Sequence, residues 1–154
     1  MKRISSPDMR SLCHAVETSR ETFVVSHEQP RPQICEVDVD GHVIHIFSNQ
    51  VLLADPDHMA IDSDGRVIVA SYNKSQILLL NSRLQIERIL LDTEHHDVFL
   101  NGPRRLCYIE QTRRLIVAGL DRVQVYIIRS RGRSCPPTDL DSHHLNQLYV
   151  HWQF

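Results

Sequence analysis

The stretch MAIDSDGRVIVAS, residues 59–71, contains the pattern that recurs through most of this chain. It has a short apolar run, an acidic residue, a polar turn with Asp64-Gly65, and a second apolar run that ends in small residues. The segments HAVETSRETFVVS (14–26) and CYIEQTRRLIVAG (107–119) align with it at shifts of 45 and 48 residues. Because two apolar runs around a turn are typical of a β-hairpin, the chain is predicted to contain three copies of one hairpin unit.

Each hairpin unit is followed by further apolar runs of strand length. A third run recurs in all three copies and a fourth in two, as Gln33–Val37, Gln76–Leu80 and Gln124–Ile128, then Val43–Phe47 and Ile86–Leu90. The third copy has no clear fourth run, because residues 129–137 read as a loop. Four strands per unit at a period near 45 residues are typical of a β-propeller blade, whereas leucine-rich and ankyrin repeats have shorter periods and helices.

The middle strands of the second copy are apolar at consecutive positions. Val67–Ala70 and Ile77–Leu80 show no alternation of apolar and polar residues, which indicates strands that are covered on both faces. A buried helix over Ile77–Leu80 is the alternative, but turn signals close to both ends favour a strand. In an antiparallel sheet both faces are covered when sheets stack face to face, as propeller blades do.

The sequence therefore predicts an all-β fold, a partial β-propeller of about three four-stranded antiparallel blades. The propeller region spans residues 1–128, with repeats over about 7–47, 55–91 and 103–128. Residues 129–154 are predicted to form an irregular tail. Its last residues alternate from Leu148 onward, and they either supply the missing fourth strand of the last blade or have no fold of their own.

The second repeat resembles the NHL-repeat β-propellers, especially those of invertebrate tripartite-motif-like proteins. The matching residues are Asp55–Ala70, Asn73 and Ile77–Leu80, with supporting matches at 24–27, 35–41 and 103–107. The resemblance covers roughly residues 7–129. The sequence departs from the family pattern at Ser71 and Gly119, where aspartate is usual, and at Lys74-Ser75-Gln76, which replaces the tripeptide that names the repeat.

This resemblance implies a ring of six blades, of which the chain supplies about three from the C-terminal part. A half-ring leaves two end blades, each with an apolar face that a neighbour should cover. We interpret the chain as a fragment or short isoform of a longer protein. The alternative is that two copies complete one ring, with self-association through the exposed blade faces.

Composition excludes several classes of protein. No apolar stretch is long enough for a membrane span, and the basic N-terminus has no apolar core behind it, so neither a span nor a secretory signal is predicted. The cysteines, Cys13, Cys35, Cys107 and Cys135, include no Cys-x-x-Cys pair, which excludes a zinc-finger, RING or thioredoxin-type site within this chain. They are interpreted as reduced thiols, which predicts a cytoplasmic protein.

Charge is distributed unevenly along the chain. Residues 104–133 contain eight arginines and two acidic residues, a net charge of +6, so the rest of the chain carries −8. A basic segment in an otherwise acidic chain is a candidate binding surface. We assign this surface to Arg104, Arg105, Arg113, Arg114 and Arg122. Because turns alternate between the two ends of a blade, these five side chains are not expected to share one surface.

No catalytic, cofactor or metal site is predicted. His95-His96 with acidic neighbours is the densest metal-like cluster, but adjacent strand residues point to opposite faces, and we interpret the segment as a solvated loop between blades. The chain has no Gly-x-Ser-x-Gly elbow and no glycine-rich phosphate loop. Glu17, Asp62 and Glu110 recur once per copy, which indicates a structural role at turns.

These observations favour a non-catalytic scaffold that binds another protein. By resemblance it would be the target-recognition propeller of a tripartite-motif-like ubiquitin ligase, whose ligase activity would need a RING domain that this chain lacks. Two alternatives stay open: RNA binding through the arginine-rich third repeat, and the remnant of a hydrolase-type six-bladed propeller. RNA binding would require aromatic rings beside the arginines, and Tyr108 and Tyr126 lie in strands that read as buried.

Overall fold

The structure, a computed structural model, describes residues 10–93, 100–128 and 147–148. The first eight strands are β1 Arg10–Glu17, β2 Phe23–Gln29, β3 Gln33–Val37, β4 Val43–Phe47, β5 Pro56–Ile61, β6 Val67–Ser71, β7 Gln76–Leu80 and β8 Ile86–Leu91. They are followed by β9 Arg105–Ile109, a 3₁₀ turn at Glu110–Thr112, β10 Arg114–Ala118, β11 Val123–Ile127 and β12 Gln147–Leu148.

The strands form three antiparallel sheets of four strands each. Their orders are β1-β2-β3-β4, β5-β6-β7-β8 and β12-β11-β10-β9, so each sheet is an up-and-down meander. We call these sheets blades 1, 2 and 3, and the first strand of each, β1, β5 and β9, its inner strand. The predicted all-β fold with four-stranded antiparallel blades is confirmed.

Blade 2 is packed between blades 1 and 3. One set of β6 and β7 side chains meets blade 1: Val67, Val69, Leu78 and Leu80 contact Val24, Ile34 and Phe47. The alternate set meets blade 3: Ile68, Ala70, Ile77 and Leu79 contact Leu106, Leu115, Val117 and Tyr126. Every residue of β6 and β7 is buried, which confirms that the uninterrupted apolar runs are strands covered on both faces.

Polar side chains close four hairpins with one repeated pattern of hydrogen bonds. A side-chain oxygen of Thr18, Asp38, Asp62 or Asn81 accepts the backbone N–H groups two and four residues later, at 2.8–3.4 Å. These contacts are typical of Asx and ST turns, which satisfy backbone donors within a tight loop. Asp62 therefore has a structural role at its turn. In blade 1 that role belongs to Thr18, because Glu17 is the last residue of β1.

Blade 1 is in register with blade 2 at a shift of 44 residues, so the shift of 45 read from the sequence is wrong. The inner-strand residues His14 and His58 pair across their hairpins with Ser26 and Ala70, which occupy equivalent positions. The left-handed turn residues, Glu21 (φ 59°) and Gly65 (φ 75°), have the same spacing. The second apolar run of copy 2 ends in two small residues, Ala70 and Ser71, so residue type alone does not distinguish a shift of 44 from a shift of 45. The strand pairing distinguishes them, because it matches Ser26 to Ala70.

Polar contacts also join neighbouring blades at their turns. Arg20 of blade 1 donates from Nη2 to the carbonyl oxygen of Ser82 in blade 2 at 3.0 Å. Ser63 of blade 2 donates its N–H and its hydroxyl to the Glu110 carboxylate of blade 3, at 3.2 and 2.9 Å. The Glu110 side chain, which the sequence assigns to its own turn, therefore links two blades instead.

The two faces turned away from blade 2 carry apolar side chains. On blade 1, Ile46 is 56% exposed, and on blade 3, Val123 is 36% exposed beside the half-buried Ile116 and Val125. These are the end faces through which self-association is expected, and that expectation stays a prediction.

Strand β12 lies beside β11 as the fourth strand of blade 3, with Gln147 opposite Tyr126 and Leu148 opposite Val125. The rest of the tail predicted over 129–154, and the His95-His96 pair, lie outside the described residues. Within residues 10–93, 100–128 and 147–148, no helix has the length and apolar character needed to cross a membrane.

Candidate functional site

Three of the five predicted arginines lie at one end of blade 3. Arg104 and Arg105 stand where β9 begins, and Arg122 lies in the hairpin between β10 and β11. The Arg104 N–H donates to the carbonyl oxygen of Ala118 at 2.8 Å, which places that hairpin beside the start of β9. We call this end of the blades, where the inner strands begin, the upper face.

Arg113 and Arg114 lie at the opposite end of blade 3, between β9 and β10. The Arg113 backbone is left-handed, with φ 51°, and follows the 3₁₀ turn. Its carbonyl oxygen accepts the Ile128 N–H at 2.8 Å, so its backbone closes the turn. The candidate binding surface is therefore one surface only for Arg104, Arg105 and Arg122.

Arg104 lies over an aromatic ring of blade 2. Its guanidinium carbon is 4.8 Å from the ring centroid of Tyr72, and its Nη2 donates to the phenol oxygen at 3.3 Å. Gly102, with φ 51°, allows the backbone to approach this ring, because a Cβ there would lie 2.5 Å from Cε2 of Tyr72. A cation–π contact thus holds Arg104 on the upper face. Tyr72 lies 32 residues before Arg104 in the sequence, so the contact between them is not visible from the aromatic residues that neighbour the arginines along the chain.

The inner strands place a polar side chain at one equivalent position in each blade. His14, His58 and Arg105 each stand opposite a small residue of the second strand, in turn Ser26, Ala70 and Ala118. Ala70 lies on the face of blade 2 that meets blade 3, and Ser26 and Ala118 pair at the equivalent positions of their own blades. Sequence reasoning finds only Arg105, because the sequence alignment sets His14 against Met59 and His58 against Leu106, each one residue away from the position that strand pairing gives.

The two histidines stack on each other and also contact the next inner strand. Their ring centroids are 3.8 Å apart and their planes are 30° apart. The Met59 N–H donates to Nδ1 of His14 at 3.2 Å, and the Leu106 N–H donates to Nδ1 of His58 at 3.4 Å. Each ring therefore joins its own blade to the one that follows.

Both imidazoles are uncharged at neutral pH. Burial lowers the pKa of His14, and the positive charge of Arg105 acts in the same direction. Burial lowers the pKa of His58 to about 4, with contributions of the same sign from His14 and Arg105. The positive charge at this position of the upper face therefore comes from the arginine.

Acidic side chains lie at the same end of blades 1 and 2. Glu28 is near the end of β2, while Asp55 precedes β5 and Asp57 lies at its start. A hydrogen bond with Asp55, followed by the charge of Asp55, raises the pKa of Glu28. The Asn73 side-chain amide also donates to Asp55. The upper face is therefore acidic at the junction of blades 1 and 2 and basic where blade 3 begins.

A cysteine and a histidine meet inside blade 1, which raises the question of nucleophilic chemistry. Sγ of Cys35 is 3.7 Å from Nε2 of His27, and both residues are buried. Burial raises the pKa of the Cys35 thiol to about 11, so at neutral pH the sulfur is protonated and is a weak nucleophile. Within the described residues, no group of three or more histidine, cysteine, aspartate or glutamate side chains is arranged to hold a metal ion.

Comparison with known proteins supports the fold alone. No protein-family model and no curated protein matches the sequence. Among solved structures, streptogramin B lyase, a β-propeller, superposes with a TM-score of 0.58 at 15% identity, over 79% of this chain and 38% of that one. A protein of unknown function from Bacteroides caccae gives a TM-score of 0.56 at 13% identity, over 84% of this chain and 46% of its own.

A third solved structure, KlHsv2 with loop 6CD replaced by a Gly-Ser linker, gives a TM-score of 0.55 at 10% identity, over 94% of this chain and 40% of its own. The chain thus spans less than half the length of each of these three proteins. Their identities are too low to transfer an activity. The superpositions and the packing of the three blades agree on the architecture: the chain is a partial β-propeller.

Proposed function

We propose that this chain is a non-catalytic scaffold that binds another protein on its upper face. The observation that carries the proposal is the charge pattern of that face, with Glu28, Asp55 and Asp57 at one junction and Arg104 and Arg105 at the next. A protein segment carries charges of both signs and can complement such a surface. The fold places these groups on adjacent blades, so one bound segment can reach both.

The resemblance of residues 55–80 to NHL repeats supports a narrower form of the proposal. In that form, the chain is the target-recognition propeller of a tripartite-motif-like ubiquitin ligase, and a RING domain supplied by another polypeptide or another part of the protein performs the ligase chemistry. The cytoplasm is the compartment that this role requires.

RNA binding is a weaker explanation of the same arginines. The phosphate backbone of RNA is uniformly negative, so Glu28, Asp55 and Asp57 would repel it on the upper face. Single-stranded RNA is also bound by stacking of its bases on aromatic rings. The ring of Tyr72 is covered by Arg104 and packs against Gly102, so it is not free to stack with a base.

The proposal predicts the outcome of a charge reversal on the upper face. The chain is used as bait in a nuclease-treated extract, in the wild-type form and as the Arg104→Glu/Arg105→Glu double variant. Proteins that bind the upper face should be retained at least about tenfold less by the double variant, because two charge-assisted contacts are lost. Quantitative mass spectrometry of the retained proteins gives the ratio.

Arg88→Glu is the matched control, because Arg88 is exposed on the outer strand β8. Arg20 is unsuitable, since its guanidinium binds the buried Glu36 and a carbonyl of blade 2. Circular dichroism and melting curves establish that each variant folds. Equal retention by the wild-type and double-variant chains would contradict the proposal. So would proteins that the wild-type chain retains only from an extract that has not been treated with nuclease.

A further inference from the structure

The stacked histidines of the inner strands each present a hydrogen-bond donor of known position. In both rings Nδ1 accepts a backbone N–H, from Met59 in one case and Leu106 in the other. A neutral imidazole that accepts at Nδ1 carries its proton on Nε2. Because both rings are neutral at neutral pH, His14 and His58 each offer one Nε2–H donor.

These donors lie beside a permanent positive charge. The ring centroids are 3.8 Å apart, and Arg105, at the equivalent position of the next inner strand, is close enough for its charge to lower the pKa of both rings. Glu28, Asp55 and Asp57 lie at the same end of blades 1 and 2, but their charges do not raise the pKa of either histidine. Within the described residues, neither Nε2 atom has a hydrogen-bond acceptor. Two neighbouring N–H donors and a guanidinium are the groups that bind a ligand with two oxygens and one negative charge.

We propose that His14, His58 and Arg105 form a carboxylate-binding site on the upper face. This inference rests on the proposed function and specifies it: the bound group is a carboxylate of the partner protein, either a C-terminus or the side chain of an aspartate or glutamate. A metal ion is disfavoured there, because both Nδ1 atoms are occupied and Arg105 would repel a cation.

The site also explains why three successive inner strands carry a polar residue at equivalent positions. Linking of blades accounts for the two Nδ1 contacts, but it uses neither Nε2–H group and makes no use of Arg105. A carboxylate bridging the two imidazole donors and the guanidinium would satisfy all three. A short peptide whose only charge is one carboxylate is a suitable small probe for this site.

Binding can be followed on the histidines themselves by NMR of the purified full chain. The probes are acetyl-Gly-Gly with a free C-terminus, acetyl-Gly-Glu-Gly-amide, and their uncharged counterparts acetyl-Gly-Gly-amide and acetyl-Gly-Gln-Gly-amide. We expect the two carboxylate peptides to shift the imidazole ¹⁵N and ¹H resonances of His14 and His58, and the uncharged peptides to leave them unchanged. The carboxylate peptide that binds with the higher affinity shows whether the partner supplies a C-terminal carboxylate or an acidic side chain.

The pH titration of His58 supplies a second readout that a purely structural role would not change. A carboxylate held beside the ring favours its protonated form. We therefore expect the pKa of His58, about 4 without ligand, to rise when the carboxylate peptide is present and to stay in place with the amide peptide.

Two variants separate binding from folding. Arg105→Leu should lower the affinity for the carboxylate peptide at least about tenfold, the usual effect of losing a charged hydrogen-bond donor. Arg88→Leu should leave that affinity unchanged. His58→Asn keeps an acceptor for the Leu106 N–H but removes the Nε2 donor, so the chain should stay folded and bind the peptide more weakly. Unchanged affinity in both Arg105→Leu and His58→Asn overturns the proposal, as does equal binding of the amide peptides or tighter binding of inorganic phosphate.

This result is separable from the test of the proposed function. If carboxylate peptides leave the histidine resonances unchanged while protein capture still depends on Arg104 and Arg105, the carboxylate site is wrong and the scaffold role stands. If the peptides bind as expected and protein capture is the same for the wild type and the double variant, the carboxylate site stands and the scaffold role is wrong.

Discussion

Replacement of Val69 by aspartate will unfold most of the chain or lower its free energy of unfolding by several kcal/mol. Val69 has no exposed surface and packs in the core between blades 1 and 2. Its neighbours across the sheet, Met59 and Leu78, are also buried and apolar. An aspartate there would have no partner for its charge, and an unpaired buried charge costs about 3–5 kcal/mol or more. Thermal and urea denaturation followed by circular dichroism measures the loss.

Val51→Asp is the control for this prediction. Val51 is 76% exposed in the turn before blade 2, so the same change of residue should alter the free energy of unfolding by less than about 0.5 kcal/mol. A Val69→Asp chain that melts within a degree or two of the wild type would show that β6 is not enclosed by two blades.

The second large effect on stability is expected from Glu36 of β3, whose carboxylate lies between the β1–β2 turn and the outer strand β4 of blade 1. Glu36 is 1% exposed and accepts hydrogen bonds from Thr22 Oγ1 at 2.6 Å, His45 Nδ1 at 2.7 Å and Arg20 Nη2 at 2.8 Å. Burial acts to raise the pKa of Glu36, but the hydrogen bonds from Thr22 and His45 and the charge of Arg20 outweigh it, and the pKa lies below its ordinary value.

The lowered pKa gives stability a defined dependence on pH. A carboxyl whose pKa is lower in the folded chain than in the unfolded chain stabilises the fold above its unfolded pKa, and the contribution is lost as pH falls through the folded pKa. Glu36→Gln should therefore lower the free energy of unfolding by about 2 kcal/mol at neutral pH. The difference between wild type and variant should shrink below about pH 5. Urea denaturation at a series of pH values measures both.

Glu21→Gln serves as the control, because Glu21 is exposed in the same turn as Arg20 and its loss should leave the pH dependence unchanged. A Glu36→Gln chain with wild-type stability at neutral pH would contradict the account of this network. So would a difference that grows as the pH falls.

The blade architecture could be predicted because the middle blade has an unusual composition. An uninterrupted run of four apolar residues is typical of a strand enclosed on both faces, and Val67–Ala70 and Ile77–Leu80 are buried throughout. The end blades are enclosed on one face, so their strands mix apolar and polar residues. Alignment of blade 1 by residue type is therefore off by one position, and the strand pairing, with His14 opposite Ser26, gives the correct register.

Two one-residue errors of this kind explain most of what the sequence does not show about the upper face. His14 is aligned to Met59, and the shift of 48 aligns His58 to Leu106 instead of Arg105, so the recurrence of a polar side chain on three inner strands is hidden. The contact between Arg104 and Tyr72 is equally invisible, since it depends on two blades lying side by side and on the missing side chain of Gly102. The excess of arginine in blade 3 is visible in sequence, but its division between the two ends requires the strand pairing.

Binding of single-stranded RNA to the purified chain tests most directly whether the upper face serves a protein or a nucleic acid. Fluorescence anisotropy with labelled RNAs of several sequences, from about 50 to about 200 mM salt, gives affinity, sequence preference and salt dependence together. We expect dissociation constants in the micromolar range or weaker near physiological salt, with no preference among sequences. Submicromolar, sequence-selective binding that the Arg104→Glu/Arg105→Glu double variant loses and Arg88→Glu retains would contradict the proposed function.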